Sequence, residues 1–313
     1  MTGPIADTPD VGARSPEPGP AHRPVMLDEV LAWLAPVPAG AWIVDGTVGL
    51  GGHAAALLGR AAESRLLGLD RDASTLALAA RRLAPFGPRV VLRHADYRDL
   101  ATEAAACGVG DAHAILLDLG LSSFQLERGG RGFSFQRDEP LDMRYDVRQP
   151  TTAADIVMRT PEPELARILA AFGEEPAARR IARRLVAARG RRPIRSTREL
   201  AALVAAAIPP ARRPRKTHAA TRTFQALRMA VNDELGSLGA ALPQAAHLLA
   251  PRGRLGVIAF HSLEDRLVKH GFRRLGQDGW TVATRRPLRP THDEVSLNPR
   301  ARSARFRVLE RGC

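Results

Sequence analysis

The sequence predicts an α/β fold, a doubly wound Rossmann-like sheet interrupted by an inserted all-helical domain. Three observations carry this. An apolar strand ending in an acid runs into a glycine-rich turn and a helix start at Trp42-Ile-Val-Asp-Gly-Thr-Val-Gly-Leu-Gly-Gly-His53. Near-continuous apolar strands then alternate with helical segments, the pattern of a buried parallel sheet. From about 150 to 210 the alternation stops, and helix signals stand with no convincing strand.

In chain order, residues 1–21 hold five prolines and three glycines and almost no bulky apolar side chain. Such a segment buries too little surface to offset its ordering entropy, so it reads as a disordered tail. It also lacks the apolar core of a secretory signal. Strands are expected at 41–45, 66–70, 89–93 and 113–118, with a helix over 72–84 that stops at Pro85. Thr160-Pro161 reads as N-cap and first residue of a helix reaching Phe172 and ending at Gly173. Pro176 to Arg189 is helical in composition and closed by Gly190. Ser196-Thr-Arg-Glu199 is a capping box before an alanine-rich helix that stops at Pro209-Pro210. A strand resumes at 254–260, and 280–285 with 304–310 are expected to close the sheet as a final pair. The expected domains are 22–130 with 217–313 for the sheet and 131–216 for the insert.

The 313 residues leave room for an ample core, and the net charge of +13 suggests a polyanionic partner. Only Lys216 and Lys269 are lysine among 46 basic residues, which in an alanine-rich chain reads first as genomic composition bias. Cys107 and Cys313 are too few for a disulfide framework or a four-cysteine metal site, so a reducing cytoplasm and no metal are expected. No apolar run reaches membrane-spanning length; Leu235 to Pro251 is broken by Gly236, Gly239 and Pro243. The charge is localised. Residues 131–218 hold 19 basic and 10 acidic side chains, and Pro176 to Arg195 holds eight arginines and no acid. Arg179, Arg180, Arg183 and Arg184 are spaced three and four apart and share one helix face. That face is either merely solvated or contacts phosphate; its lack of acids favours RNA phosphates.

In an open α/β sheet, ligands bind beyond the carboxyl ends of the strands. Gly46, Gly49, Gly51 and Gly52 do not fit the spacing of a dinucleotide fingerprint, and Asp45 would repel a diphosphate. A carboxylate beside the turn suits a cationic ligand without phosphate, such as S-adenosylmethionine. Asp70 ends the second strand, where a carboxylate can accept bonds from both ribose hydroxyls, or can order the helix that follows. Tyr97 is placed to lie against adenine, or is an ordinary half-buried aromatic. Gly51, Gly52 and His53 open the first helix, and His53 reads as pocket lining. Asp118-Leu-Gly-Leu-Ser-Ser123 and Phe260-His-Ser-Leu-Glu-Asp-Arg266 crowd polar groups after two further strands, which is costly unless the groups are used. An exocyclic base amine is a weak nucleophile. An acceptor on its N–H would pyramidalise it and take its proton; Asp118 is the first candidate, or is instead a cofactor-binding or loop-ordering acid, and His261 is the second. Phe124, Phe133 and Phe135 are candidates for base stacking or for packing the insert on the sheet.

Seven segments, His22-Arg-Pro-Val-Met-Leu-Asp-Glu-Val30, Asp45 to His53, Asp118 to Gln125, Arg131-Gly-Phe-Ser-Phe135, Pro140-Leu-Asp-Met-Arg144, Ala220 to Arg228 and Phe260 to Arg266, together resemble the RsmH (MraW) family. They stand in family order and span about 22 to 310. The resemblance implies a class I methyltransferase sheet with a helical, RNA-recognising insert. It implies S-adenosylmethionine-dependent methylation at N4 of a decoding-centre cytidine in 16S rRNA, within the small ribosomal subunit, in the cytoplasm. It places cofactor contacts on Gly51, Gly52, His53, Asp70, Tyr97, Asp118 and Gln125, and adds Arg222 to the expected RNA contacts. The chain departs from the family pattern in a shorter stretch between His270 and Pro287, and in Thr217-His-Ala-Ala-Thr221, which lacks a proline at a domain junction.

Two other classes are compatible with parts of this reading. A non-catalytic rRNA-binding assembly factor would use the basic insert and hold the cofactor only structurally. A Rossmann oxidoreductase would need nicotinamide binding, against the glycine spacing.

Overall fold

The computed structural model describes residues 23–127, 130–214 and 217–313; the expected tail at 1–21 lies outside them. Helix α1 (Leu27–Leu34) precedes β1 (Trp42–Asp45), α2 (Gly52–Arg60), β2 (Arg65–Asp70), α3 (Ala73–Leu83), β3 (Val90–His94), α4 (Leu100–Ala106) and β4 (Ala112–Asp118). A short α5 (Ser123–Glu127) leads to α6 (Ala153–Arg159), α7 (Glu162–Gly173), α8 (Ala178–Arg189), α9 (Thr197–Ala207), α10 (Thr221–Asn232) and α11 (Glu234–His247). The chain closes with β5 (Leu249–Ala259), α12 (Ser262–Gln277), β6 (Trp280–Val282), α13 (His292–Leu297) and β7 (Arg305–Arg311).

The seven strands form one sheet in the order β3-β2-β1-β4-β5-β7-β6. The first five are parallel, and β7 lies antiparallel between β5 and β6. Successive strands first step outward from β1 and then restart beside it at β4. The crevice of a doubly wound sheet therefore opens at the β1/β4 carboxyl ends. The two faces of the sheet are covered by separate apolar clusters, one centred on Val44, Ile115 and Val257 and the other on Ile43, Leu116 and Phe306. A third cluster belongs to the helical layer and runs from Phe133 to Leu227.

Local sequence explains most boundaries. Asp72 caps α3, accepting from the Ser74 backbone N–H at 3.1 Å. The Ser196–Glu199 capping box forms as expected, and Thr152–Asp155 forms another. Helix α7 ends at Gly173, where a Cβ would sit 2.6 Å from the Arg222 carbonyl oxygen, so glycine is what lets α7 and α10 approach. Two expectations differ. Pro161, and not Thr160, is the N-cap of α7; Thr160 instead ends α6 and gives its carbonyl to Arg189 Nη1 at 2.7 Å. Strand β5 begins at Leu249 and not at 254, because it passes through an irregularity at Pro251–Gly253 that sequence patterning reads as a break. Among the described residues, no helix is long and apolar enough to cross a membrane.

Candidate active site

The crevice is built on three strand-end acids. Asp45 closes β1, and its Oδ1 accepts the Thr47 backbone N–H at 3.1 Å. Thr47 Oγ1 in turn accepts the Asp118 N–H at 2.6 Å, tying the end of β1 to the end of β4. Asp70 closes β2 and takes the Gly49 N–H at 2.9 Å on one oxygen and the Asp72 N–H at 2.8 Å on the other. The turn itself needs glycine at Gly46, where a Cβ would lie 2.5 Å from Leu117 Cδ2 and 3.3 Å from Tyr97 Cβ. Gly49 and Gly51 adopt φ of 53° and 75°, the left-handed region.

Backbone donors offset only part of the burial of Asp45 and Asp70. Burial pushes the Asp45 carboxyl up to about 7, against the Thr47 N–H, and the nearby Asp118 and Asp70 push it further. Burial also pushes Asp70 up to about 6, against its two backbone donors. A ligand with positive charge would relieve both, whereas an added phosphate would be repelled. The donor set therefore fits the amino and sulfonium groups of S-adenosylmethionine.

Gly46, Thr47, Gly49, Asp70, Tyr97, Asp118 and Gln125 line one cleft. A second cleft of about 320 Å³ adjoins it and is lined by Gly52, His53, Leu121, Arg228 and Phe260. The two share Thr47, Gly49 and the stretch from Asp118 to Gly120 together with Ser122, so a single wall faces both. Gly120 has no room for a side chain, since a Cβ would meet Phe260 Cε2 at 2.7 Å. His53 sits in the second cleft with Nε2 donating to the Val25 carbonyl at 2.9 Å and Nδ1 at 3.6 Å from Asp118 Oδ2. Gly51 lines neither cleft; it is the N-cap of α2 and lies against Leu83.

The first cleft is completed by residues the sequence reading did not single out. Arg71 Nη2 donates to the Asn232 carbonyl at 2.7 Å, and its guanidinium lies over the Tyr145 ring at 5.4 Å. Asp72 accepts Gln125 Nε2 at 3.0 Å and pairs with Arg131. Burial works against the Asp72 charge, but the bonds from Arg131, Ser74 and Gln125 hold its carboxyl below the usual range. Gln125 thus lines the cleft while its amide is engaged with Asp72 and the Ser122 N–H. Arg228 forks onto both Glu234 oxygens, at 2.8 and 3.0 Å. Their common signal is a charged or hydroxylated residue inside an otherwise packed layer. Except for Arg228 and Glu234, six apart, the partners stand 53 to 161 positions apart, which spacing alone does not reveal.

His261 lines neither cleft. It caps α12, with Nδ1 accepting the Glu264 N–H at 3.3 Å and Nε2 3.1 Å from Glu264 Oε1, while Glu264 itself lines the first cleft. Glu234, His261 and Glu264 bring three possible ligand atoms within 4.8 Å of one another. Arg228 engages the Glu234 member of this cluster through both carboxylate oxygens.

Arg179, Arg180, Arg183 and Arg184 are all exposed on α8, opposite its buried Ile181, Ala182 and Leu185. Arg183 approaches Glu162 at 3.7 Å. Arg222 is exposed and gives Nη1 to the Glu174 carbonyl at 2.9 Å. Glu174 also accepts Ser262 Oγ at 2.5 Å and Arg266 Nη2 at 3.1 Å, which brings the end of α7 to the start of α12. Phe133 stacks on Tyr145 at 5.3 Å and Phe135 meets Phe224 edge-on at 5.1 Å, so both pack within the helical layer.

Residues 20–312 match the family described as the MraW methylase family. The chain is 48% identical to a "Ribosomal RNA small subunit methyltransferase H" of Syntrophotalea carbinolica, over 93% of this chain and 98% of that one. It is 46% identical to the protein of the same name from Acidothermus cellulolyticus, with 97% of each covered. A solved rRNA methylase from Streptococcus thermophilus aligns at a TM-score of 0.42 and 11% identity, over 92% of this chain and 94% of that chain. The chain belongs to the MraW methylase family and is a methyltransferase that uses S-adenosylmethionine.

Proposed function

We propose that this protein methylates the exocyclic N4 of a decoding-centre cytidine in 16S rRNA, within the small ribosomal subunit, and so fine-tunes the P-site. The relatives' shared name supports small-subunit rRNA as substrate. The observation that carries the site reading is the wall from Asp118 to Gly120, which faces a carboxylate-lined cleft on one side and a second cleft on the other.

S-adenosylmethionine supplies an electrophilic methyl group on a sulfonium. Residues for holding it are Gly52, His53, Asp70, Tyr97, Asp118 and Gln125, with Asp70 suited to ribose hydroxyls and Tyr97 to the adenine face, while Gly51 shapes the turn behind them as N-cap of α2. The target base must leave its stack, at a cost of a few kcal/mol. Contacts from Arg179, Arg180, Arg183, Arg184 and Arg222 to phosphates offset that cost. At the amine, an Asp118 carboxylate oxygen accepts an N–H and then the proton. His261 acts from outside the clefts, by holding Glu264 and the start of α12. In this reading 22–130 with 217–313 form the methyltransferase domain, 131–216 recognises RNA, and the protein works in the cytoplasm without a membrane or protein partner.

The test is small subunits from a strain lacking this protein, incubated with purified enzyme and labelled cofactor. Label at cytidine N4 is expected, with Asp70→Ala and Asp118→Asn both strongly impaired. Subunits already fully N4-methylated in that strain would exclude the assignment.

A further inference from the structure

A third cleft, of about 320 Å³, lies at the far end of α8, bounded by the loop 190–193 and the face of α9. Arg184, Arg191 and Arg192 stand on its rim, and Ala188, Ile194 and Leu203 line it. Ile194 is buried and Leu203 half-buried, so part of the lining is apolar. The loop is fixed from both sides. The Arg191 and Arg192 N–H groups close onto the Ala188 carbonyl at 3.0 and 3.2 Å, and the Arg195 N–H meets Glu199 Oε2 at 2.9 Å.

The arginines here divide by role. Arg189 is structural, giving Nη1 to the Val157 and Thr160 carbonyls at 2.6 and 2.7 Å. Arg184 and Arg191 have no side-chain partner among the described residues, and Arg192 reaches Glu199 only at 3.6 Å. Glu199 is the one acid on the cleft and is already engaged in its capping box. Free guanidinium groups above an apolar floor match a nucleotide, with its phosphate on the rim and its base or ribose against Ile194 and Leu203. The volume sits near the lower end for ligand sites, roughly 300–1,000 Å³, which suits one nucleotide.

Position gives the register. The opposite end of α8 follows Glu174, which touches Ser262 and Arg266 beside the second cleft. A helix of 12 residues spans about 18 Å at ~1.5 Å per residue. At ~3.4 Å per stacked nucleotide that is roughly five nucleotides. We propose that the α8–α9 cleft is a second RNA subsite, binding one nucleotide of the same strand several positions from the methylated cytidine. This rests on the RNA-methylation reading above and deepens it.

The experiment uses the full-length protein and fluorescein-labelled oligouridylates of four and twelve nucleotides, followed by anisotropy over a salt series. For the twelve-mer, Arg184→Ala/Arg191→Ala should weaken binding about tenfold and reduce the salt slope by roughly one to two. The four-mer should be affected much less. Leu203→Glu, which puts a carboxylate into the cleft, should act in the same direction. Arg159→Ala/Arg167→Ala, an equal charge loss on exposed positions of α6 and α7, should leave the slope unchanged within ~0.5. If both cleft variants retain wild-type circular dichroism, twelve-mer affinity and salt slope, the subsite does not exist. The parent reading fails differently: wild-type enzyme would then leave small subunits unmethylated, whatever these oligomers show.

Discussion

Arg131 and Asp72 form a buried ion pair that joins the first residues of the helical layer to the N-cap of α3, directly after the strand-end acid Asp70. Arg131 also gives Nη1 to the Tyr145 carbonyl at 2.9 Å, so one guanidinium fixes both the insert's entry segment and the cofactor cleft. Removing one partner of such a pair leaves a buried charge and costs ~3–5 kcal/mol. Arg131→Ala is therefore expected to lower thermal stability and to weaken S-adenosylmethionine binding at least tenfold by calorimetry. Unchanged affinity in a folded variant would show that the two layers are not coupled through this pair.

Asp45 predicts a pH dependence with a definite sign. Its carboxyl is raised from an ordinary 3.8 to about 7 in the folded state. The unfolded chain gives up this proton first as pH rises, so folding is penalised progressively between about pH 4 and 7 and the penalty is constant above that. Three units correspond to on the order of 4 kcal/mol. Asp45→Asn keeps the shape of the protonated acid and titrates in neither state. Without cofactor it should be more stable than the parent at pH 8, and the two should converge toward pH 4. Chemical denaturation at both values checks this; equal midpoints at pH 8 would mean that Asp45 is ionised at no cost.

Much of this centre is readable in the sequence because its signals are local. A strand, a terminal acid and a glycine turn lie within a dozen residues at Asp45 to His53, and the same grammar places Asp70 and Asp118. The Ser196 capping box and the Gly173 stop are equally short-range. What is not readable depends on pairs far apart in the chain. Nothing near Asp72 announces Arg131, and nothing near Arg71 announces Asn232 and Tyr145. Chemistry-bearing residue types also take structural positions: His261 is the N-cap of α12, Phe133 is core and Phe135 packs half-buried against it. The irregular start of β5 was hidden for a related reason, since Pro251 and Gly253 mark loops everywhere except at a bulge.

Gly173 offers a test of the helical layer alone. An added methyl would lie 2.6 Å from the Arg222 carbonyl and 3.2 Å from Ala226 Cβ, so α7 and α10 would have to separate. Gly173→Ala should cost ~1–3 kcal/mol. The same shift moves Glu174 from Ser262, so methyl transfer should fall further than stability alone explains. A denaturation midpoint equal to the parent's would show that the layer absorbs the methyl elsewhere.

His53 carries the last expectation. A carbonyl oxygen can only accept, so the Val25 contact requires the proton on Nε2 and leaves Nδ1 facing Asp118 Oδ2 across 3.6 Å. Two acceptor atoms facing each other hold a place for one proton. A proton taken by Asp118 from the base amine therefore has an onward site at Nδ1, and the carboxylate is restored for the next turnover. His53→Gln should lower kcat about a hundredfold, the lower range for a proton-transfer group, and by more than it weakens cofactor binding. Single-turnover methylation of small subunits, set beside calorimetric cofactor titration, measures both. A variant that binds cofactor poorly but turns over at the parental rate when saturated would make His53 a wall of the cleft and nothing more.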